Sequence, residues 1–342
     1  MSIKKNDTTP IGDLIGPKLL RQTKGPTPIQ KRLIDGAVIP IENPDEPQSL
    51  LFQHTVFCQT CLPFRNPGDE ARTWERLNGN VHLKVLAGEA MHPQQKCLVT
   101  LGLPFGPKAR LILMHINQEA LKRQTPEIEI EDSLTRFVRR TLQLDPKGRN
   151  MRIVKEQLAR LSAASIRLGI VKDGRAVTIN SQIVGAFDIW FPKDARQRVL
   201  WPSTIHLSLD YWESLKAHAV PLCEDHIARL SHSALALDIY AWLANRLHRI
   251  PSRRPVTVSW TALHGQFGQG YNRLDHFRAA FKVALKEVLT LYTTAQINLH
   301  KDRQPPRVYS RGGEPVLGEA PAKGLTLHHS PPPISPRLIT GC

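Results

Sequence analysis

The sequence predicts an α+β protein built from two tandem winged helix-turn-helix domains, with a small β-rich prelude and disordered tails. Three observations lead there. Between Ser231 and His300 the apolar spacing changes from helix to strand, then to two helices and a strand. The same order occurs upstream, where Ile130 falls on Val258, Leu134 on Ala262 and Ile153 near Arg278 at a near-constant offset. The copies share pattern rather than letters. Finally, 46 Lys and Arg against 30 Asp and Glu give a net charge of +16, a field that attracts polyanions.

The downstream copy begins with a helix over Ser233 to Arg249, whose Leu235, Ile239, Trp242, Leu243, Leu247 and Ile250 form one buried face. Pro251 and Pro255 end it, because proline cannot continue the helical ladder. Val256 to Trp260 is short and β-branched, hence a strand. Thr261 to Gly268 is a brief helix closed by the turn Gly268-Gln269-Gly270. Leu274 to Leu291 follows, with Phe277, Phe281, Ala284, Leu285 and Val288 facing inward. Arg278, Lys282 and Lys286 stand four residues apart and form a cationic ridge on another face, diluted only by Asp275 and Glu287. Arg273 and His276 lie at its start. In a helix-turn-helix the helix after the turn enters the major groove, so these five residues are candidate DNA contacts.

In the upstream copy, Ala109 to Arg123 reads as an amphipathic helix with Ile112, Leu113, Ile116 and Ala120 on one side. A strand at Ile128 to Glu131, a helix at Ser133 to Leu142 and a turn at Asp145 to Gly148 follow. A long helix from Met151 to Leu168 turns Val154, Leu158, Leu161 and Leu168 inward. Arg149, Arg152, Lys155, Arg160 and Arg167 lie on or beside its outer face, where the small Ala159 and Ala163 would let a duplex come close. Arg175 to Asn180 and Gly185 to Phe191 read as a hairpin wing. Lys172, Arg175, Lys193, Arg196 and Arg198 at its ends suit phosphates rather than bases.

These elements divide the chain into a flexible basic arm at 1–48, a first winged-helix domain with its prelude at 49–202, connector helices with the second domain at 203–300, and a Pro-rich disordered tail at 301–342. The prelude contains an apolar first element at Ser49 to Thr60, a turn at Trp74 to Gly79, and strands at Val81 to Leu86 and Cys97 to Leu101. The connector has Ser208 as a helix cap, with Tyr211, Trp212 and Leu215 behind it and Pro221 interrupting.

Several function classes are disfavoured. Nothing approaches the roughly 20 apolar residues of a membrane span, and the first residues lack the apolar core of a signal peptide. The expected location is the cytoplasm, with nucleic acid rather than a membrane as partner. Five scattered cysteines predict free thiols. The lone Cys58-Gln59-Thr60-Cys61, with His54 before it and only His92 and Cys97 as further ligands, predicts buried sulfurs rather than a metal site. His328-His329 has no partners for a metal. Gly102 to Lys108 resembles a phosphate loop only superficially, because it lacks the Lys-Ser/Thr pair. No cofactor is expected.

Three runs carry a family resemblance: Gly102-Leu103-Pro104-Phe105-Gly106-Pro107-Lys108-Ala109-Arg110-Leu111-Ile112-Leu113, Ser231 to Ala244, and Val258 to Gly268 followed by Leu274-Asp275-His276-Phe277. Together they resemble the plasmid-encoded RepA replication initiators from about residue 50 to 300. The resemblance implies binding to double-stranded DNA repeats (iterons) at a plasmid origin and local opening of an A·T-rich stretch. It further implies loading of host replication proteins, helicase and initiator among them, and a monomer that initiates while a homodimer restrains copy number or transcription. The expectation is a non-catalytic DNA-binding initiator. A winged-helix transcriptional repressor is the alternative, because the fold alone does not separate the two. A rolling-circle nickase would need a His-hydrophobe-His metal pair and a nucleophilic tyrosine, and the histidine pattern is missing.

Overall fold

The structure, a computed structural model, describes residues 27–34, 49–79, 81–92, 96–129, 131–140, 145–146, 148–172, 175–190, 201–251, 255–299 and 324–330. Helices and strands mix throughout, so the class is α+β. A short helix α1 covers residues 28–34. Next come β1 (Leu50–His54), α2 (Thr55–Gln59), β2 (Thr73–Asn78), β3 (Val81–Leu86), β4 (Glu89–His92) and β5 (Cys97–Thr100). The first repeat unit holds α3 (Gly106–Arg123), β6 (Glu127–Glu129), α4 (Glu131–Arg140) and α5 (Gly148–Ala163). Four strands follow: β7 (Ser165–Lys172), β8 (Arg175–Gln182), β9 (Val184–Trp190) and β10 (Trp201–Leu207).

The connector comprises α6 (Leu209–His218), β11 (Ala219–Cys223) and α7 (Glu224–Leu230). The second unit contains α8 (Ala234–Arg246), β12 (Val256–Ser259), α9 (Trp260–Phe267), α10 (Leu274–Leu291), β13 (Ile297–Leu299) and β14 (Gly324–Leu327). Its sheet has the order β12-β14-β13, and that of the first unit has the order β6-β10-β9. In both, the strand after the leading helix pairs with the last strand, which also pairs with the middle one.

Several expectations are corrected. The long helix of the first unit stops at Ala163, and Leu168 and Arg167 belong to β7 instead. Ser165 to Lys172 is rich in β-branched and aliphatic residues, and pairing with β3 and β8 overrides the helical spacing. The expected wing of β8 with β9 is replaced by two other ladders: β8 pairs with β7, and β9 pairs with β10. Trp74 to Asn78 lies in strand β2, hydrogen-bonded to β3, rather than in a turn. Sheet β2-β3-β7-β8 thereby joins the prelude to the first unit.

The tail is not wholly irregular. Gly324–Leu327 forms the central strand of the second sheet, with Leu325 and Leu327 fully buried. The arm likewise is not wholly loose: Leu33 of α1 is buried, the Arg32 guanidinium donates to the Ala228 carbonyl, and Arg229 donates to the Arg32 carbonyl at 2.6 Å. Helices α3 and α8 are buried on nearly every side rather than along one stripe. Helix α3 packs on β1, α5 and α8, while α8 also packs on α2, α10 and β11.

Polar anchors at the centre fix these helices. Arg110 of α3 is 1% exposed and donates from Nε and Nη2 to the two Asp238 oxygens of α8, at 2.6 and 2.7 Å. Its remaining donors reach the carbonyls of Gly106 (2.8 Å), Pro63 (3.2 Å) and Leu62 (2.6 Å). The guanidinium also lies 5.2 Å from the Phe64 ring centroid. All five of its N–H groups are used, the condition under which a buried guanidinium is tolerated. Burial raises the Asp238 carboxyl above its ordinary value, while Arg110 pulls it back down.

The loop after α2 is a second hub. The Gln59 carbonyl accepts from Asn78 (2.7 Å) and Gln266 (2.9 Å), and the Cys61 carbonyl from Trp74 Nε1 (2.7 Å). Cys58 and Cys61 are buried here, and burial pushes both thiols up. His54 caps α2 by accepting from the Val56 N–H through Nδ1 (3.2 Å), with Nε2 on Ser214 Oγ at 2.9 Å.

Two outcomes follow for stability. Asp238→Ala strands the Arg110 charge in the core and should lower the unfolding free energy by about 3–5 kcal/mol. Joint replacement with Arg110→Met should recover most of that in urea titrations. Burial also lowers the pKa of each of His54, His115 and His226 to about 4. Their unfolded value is near 6.5, so the stability they contribute is full above that pH and is lost as pH falls toward 4. Each should remove roughly 2 kcal/mol by pH 5, and His226→Gln should flatten the pH dependence seen in urea midpoints.

Candidate nucleic-acid interface

Helix α10 is positioned by the turn before it. The Gly268 N–H closes α9 on the His264 carbonyl at 2.7 Å, and a Cβ there would lie 2.3 Å from the His264 ring. His264 in turn bonds the Tyr271 carbonyl at 3.0 Å and stacks edgewise on Phe277. Phe277, Phe281, Ala284, Leu285 and Val288 are buried as their spacing predicts.

The cationic ridge is less uniform than its spacing suggests. Arg278 is half-buried, with its guanidinium 5.2 Å from the Trp260 ring centroid, and the Lys282 ammonium lies 5.6 Å from the same ring. Such contacts hold a cation while leaving it charged. Lys282 and Lys286 are exposed and make no ion pair among the described residues. Arg273 is exposed but clasps Asp275 through two bonds, at 3.0 and 2.7 Å. That hydrogen-bonded pair holds the Asp275 carboxyl down at about 2. Glu287 faces His232 at 3.3 Å. The most open line of the helix passes through His276, Ala279, Val283 and Lys286, one flank away from Arg278.

The first unit presents a shorter surface. Arg149 and Arg152 are exposed and Lys155 is half-buried. From Gln157 onward α5 sinks into the core, and Ala159 and Ala163 are buried rather than open to a duplex. Arg160 is likewise turned inward. It donates to the Leu103 carbonyl at 3.2 Å, stacks on Phe105 at 5.2 Å and pairs with Glu156 at 3.0 Å. A Cβ on Gly102 would meet the Arg160 guanidinium at 2.2 Å, so a larger residue there would displace it. The Phe105 N–H donates to Gln157 Oε1 at 2.9 Å. The loop read as a pseudo-phosphate motif is therefore the socket of α5.

Arg167 is exposed on β7, opposite Lys84 and Asn180, and not beside the other candidates on α5. Arg175 opens β8 opposite Lys172. Lys193, Arg196 and Arg198 lie outside the described residues. The charge reading missed Arg136, Arg139 and Arg140 of α4, of which all three are exposed and unpaired among the described residues. The run Arg136-Phe137-Val138-Arg139-Arg140 was the available signal. No cluster of metal-ligating side chains occurs among the described residues. Nor, among them, is any helix long and apolar enough to cross a membrane.

Residues 103–262 match the family described as plasmid encoded RepA protein. No curated protein matches the chain. A crystal structure of domains 2 and 3 of RctB is similar at 8% identity and a TM-score of 0.45, covering 74% of this chain and 91% of that one. A second crystal structure of those RctB domains gives 8% identity, a TM-score of 0.44, and coverage of 71% and 90%. Likeness this loose carries no weight for fold or function. The stretch that matches the family contains both partners of the central ion pair, Arg110 and Asp238, so its similarity covers the centre of the structure.

Proposed function

We propose that the chain initiates plasmid replication by binding repeated sequences at the origin through two winged-helix heads, without catalysing a covalent step. The carrying observation is the open face of α10, with Lys282 and Lys286 free of ion pairs among the described residues and mounted behind a tight glycine turn. The repeated sheet orders support reading each unit as a winged helix, with α5 and α10 as the helices that meet the groove. Arg136, Arg139, Arg140, Arg149 and Arg152 supply the cations of the first head, and Arg278, Lys282 and Lys286 those of the second. Iteron recognition, origin opening and recruitment of host helicase belong to the same proposal, as does a homodimer with a restraining role.

Three of the five tyrosines are unsuited to a covalent nickase. Of five, Tyr211, Tyr240 and Tyr292 are buried, and burial raises their hydroxyls above the ordinary range. A nucleophilic tyrosine needs the opposite environment.

The deciding experiment is a footprint with a salt titration on DNA flanking the gene. Protection of tandem repeats over about two helical turns, with affinity falling steeply in salt, is expected. Binding without a preferred site would reject the reading. A replication assay on the protected fragment separates initiation from repression.

Two substitutions refine the second head. Asp275→Asn frees Arg273 and removes a negative charge, so affinity should rise and the salt slope should steepen by about one. Lys286→Ala should weaken every sequence alike, whereas Arg278→Ala should alter the ranking of sites, both read by competition binding.

A further inference from the structure

The open line of α10 is apolar at its centre. Val283 is 62% exposed, and Ala279, one turn before it, is also exposed. By contrast Phe277, Phe281 and Val288 of the same helix are buried. A β-branched residue at an open helical position is a weak helix former, so local stability does not explain the valine. Its surroundings on the helix are polar: Lys282 and Lys286 are exposed beside it, His276 is exposed two turns before it, and Glu287, one turn after it, is half-buried and engaged by His232. A protein partner recognised through apolar contact would face those unpaired ammonium groups, whereas a polyanion complements them. The stretch from His276 to Lys286 rises about 15 Å, the length of about four base-pair steps.

Resting on the DNA-binding reading above, we infer that Val283, with Ala279, forms an apolar reader of thymine C5-methyl groups in the major groove, flanked by cations that hold the phosphates. The methyl is the one apolar group that base edges offer in that groove, and alkyl side chains are its natural contacts. Ala279 is small enough to let the backbone approach, and Val283 reaches beyond it. Sequence preference at this point then comes from shape and hydrophobic burial, and Lys282 and Lys286 contribute affinity without preference. The second head therefore reads A·T pairs with a defined strand orientation, because only one strand of each pair carries the methyl.

The test replaces each thymine of the footprinted repeat, one at a time, by deoxyuridine, which removes the methyl and leaves base pairing intact. Duplex binding by the full-length chain is followed by fluorescence anisotropy. At one or two positions the wild-type chain should bind the uracil duplex about fourfold more weakly, the value of one buried methyl group. Val283→Ala should bind the thymine and uracil duplexes equally at one of those positions, while Lys286→Ala should keep the discrimination at lower affinity. Val283 is exposed, so an unchanged melting curve for Val283→Ala is expected and separates recognition from folding. Specific binding with no thymine that responds to uracil would overturn this inference alone. So would a Val283→Ala variant that still discriminates, or one that loses replication with DNA binding intact, which would assign the face to a protein partner. Failure of the chain to select any repeat would overturn the DNA reading and this inference together.

Discussion

The buried pair of Arg110 and Asp238 is the constraint on which the other contacts turn. It ties the leading helix of the first unit to that of the second. Through the carbonyls of Leu62, Pro63 and Gly106 it also fixes the loop after α2 and the start of α3. A charge pair so deep contributes little net stability compared with apolar residues of the same shape. Its value lies in direction: five donors with five fixed acceptors allow one arrangement of α3 against α8, where apolar packing alone would allow several. The elements that carry the exposed cations then hang from this centre by short links. Gln157 and Arg160 hold the loop before α3, and Gln266 holds α9 to the loop after α2.

Helices α5 and α10 are unequally exposed. Helix α5 is submerged from Gln157 onward because helix α3 and strands β9 and β10 cover it, leaving Arg149 and Arg152 of its first turns and Arg139 and Arg140 at the end of α4 exposed. Helix α10 is covered on one side only from Leu274 to Lys286 and has no exposed residue after that. Compact charge suits anchoring on phosphates, and a long open face suits scanning base edges.

Local spacing revealed most elements of the second unit, since Phe277 to Val288 repeat cleanly and Gly268 has a local reason to be glycine. It could not reveal β14, whose partners β12 and β13 lie far back in the chain and whose four residues carry no periodic signal of their own. The same limit hid the end of α5: Leu158, Leu161 and Leu168 fit a helical stripe, and only pairing with β3 places Leu168 in a strand. Charges were legible as a sum but not by destination. Arg110 and Arg160 are spent on the interior, Arg273 on a neighbouring carboxylate, and the cations of α4 went unnoticed beside a more conspicuous helix.

The position of β14 has a consequence for synthesis. Chains fold from the N-terminus as they emerge, and the first unit has all its sheet strands once Leu207 has appeared. The sheet of the second unit lacks its middle until Leu327 is free, because β12 and β13 meet only through β14. A growing chain thus passes through a stage in which one unit is complete and the other has an open gap between its strands. During that interval the facing edges of β12 and β13 hold unpaired backbone groups, so the second unit reaches its final arrangement only with a finished polypeptide.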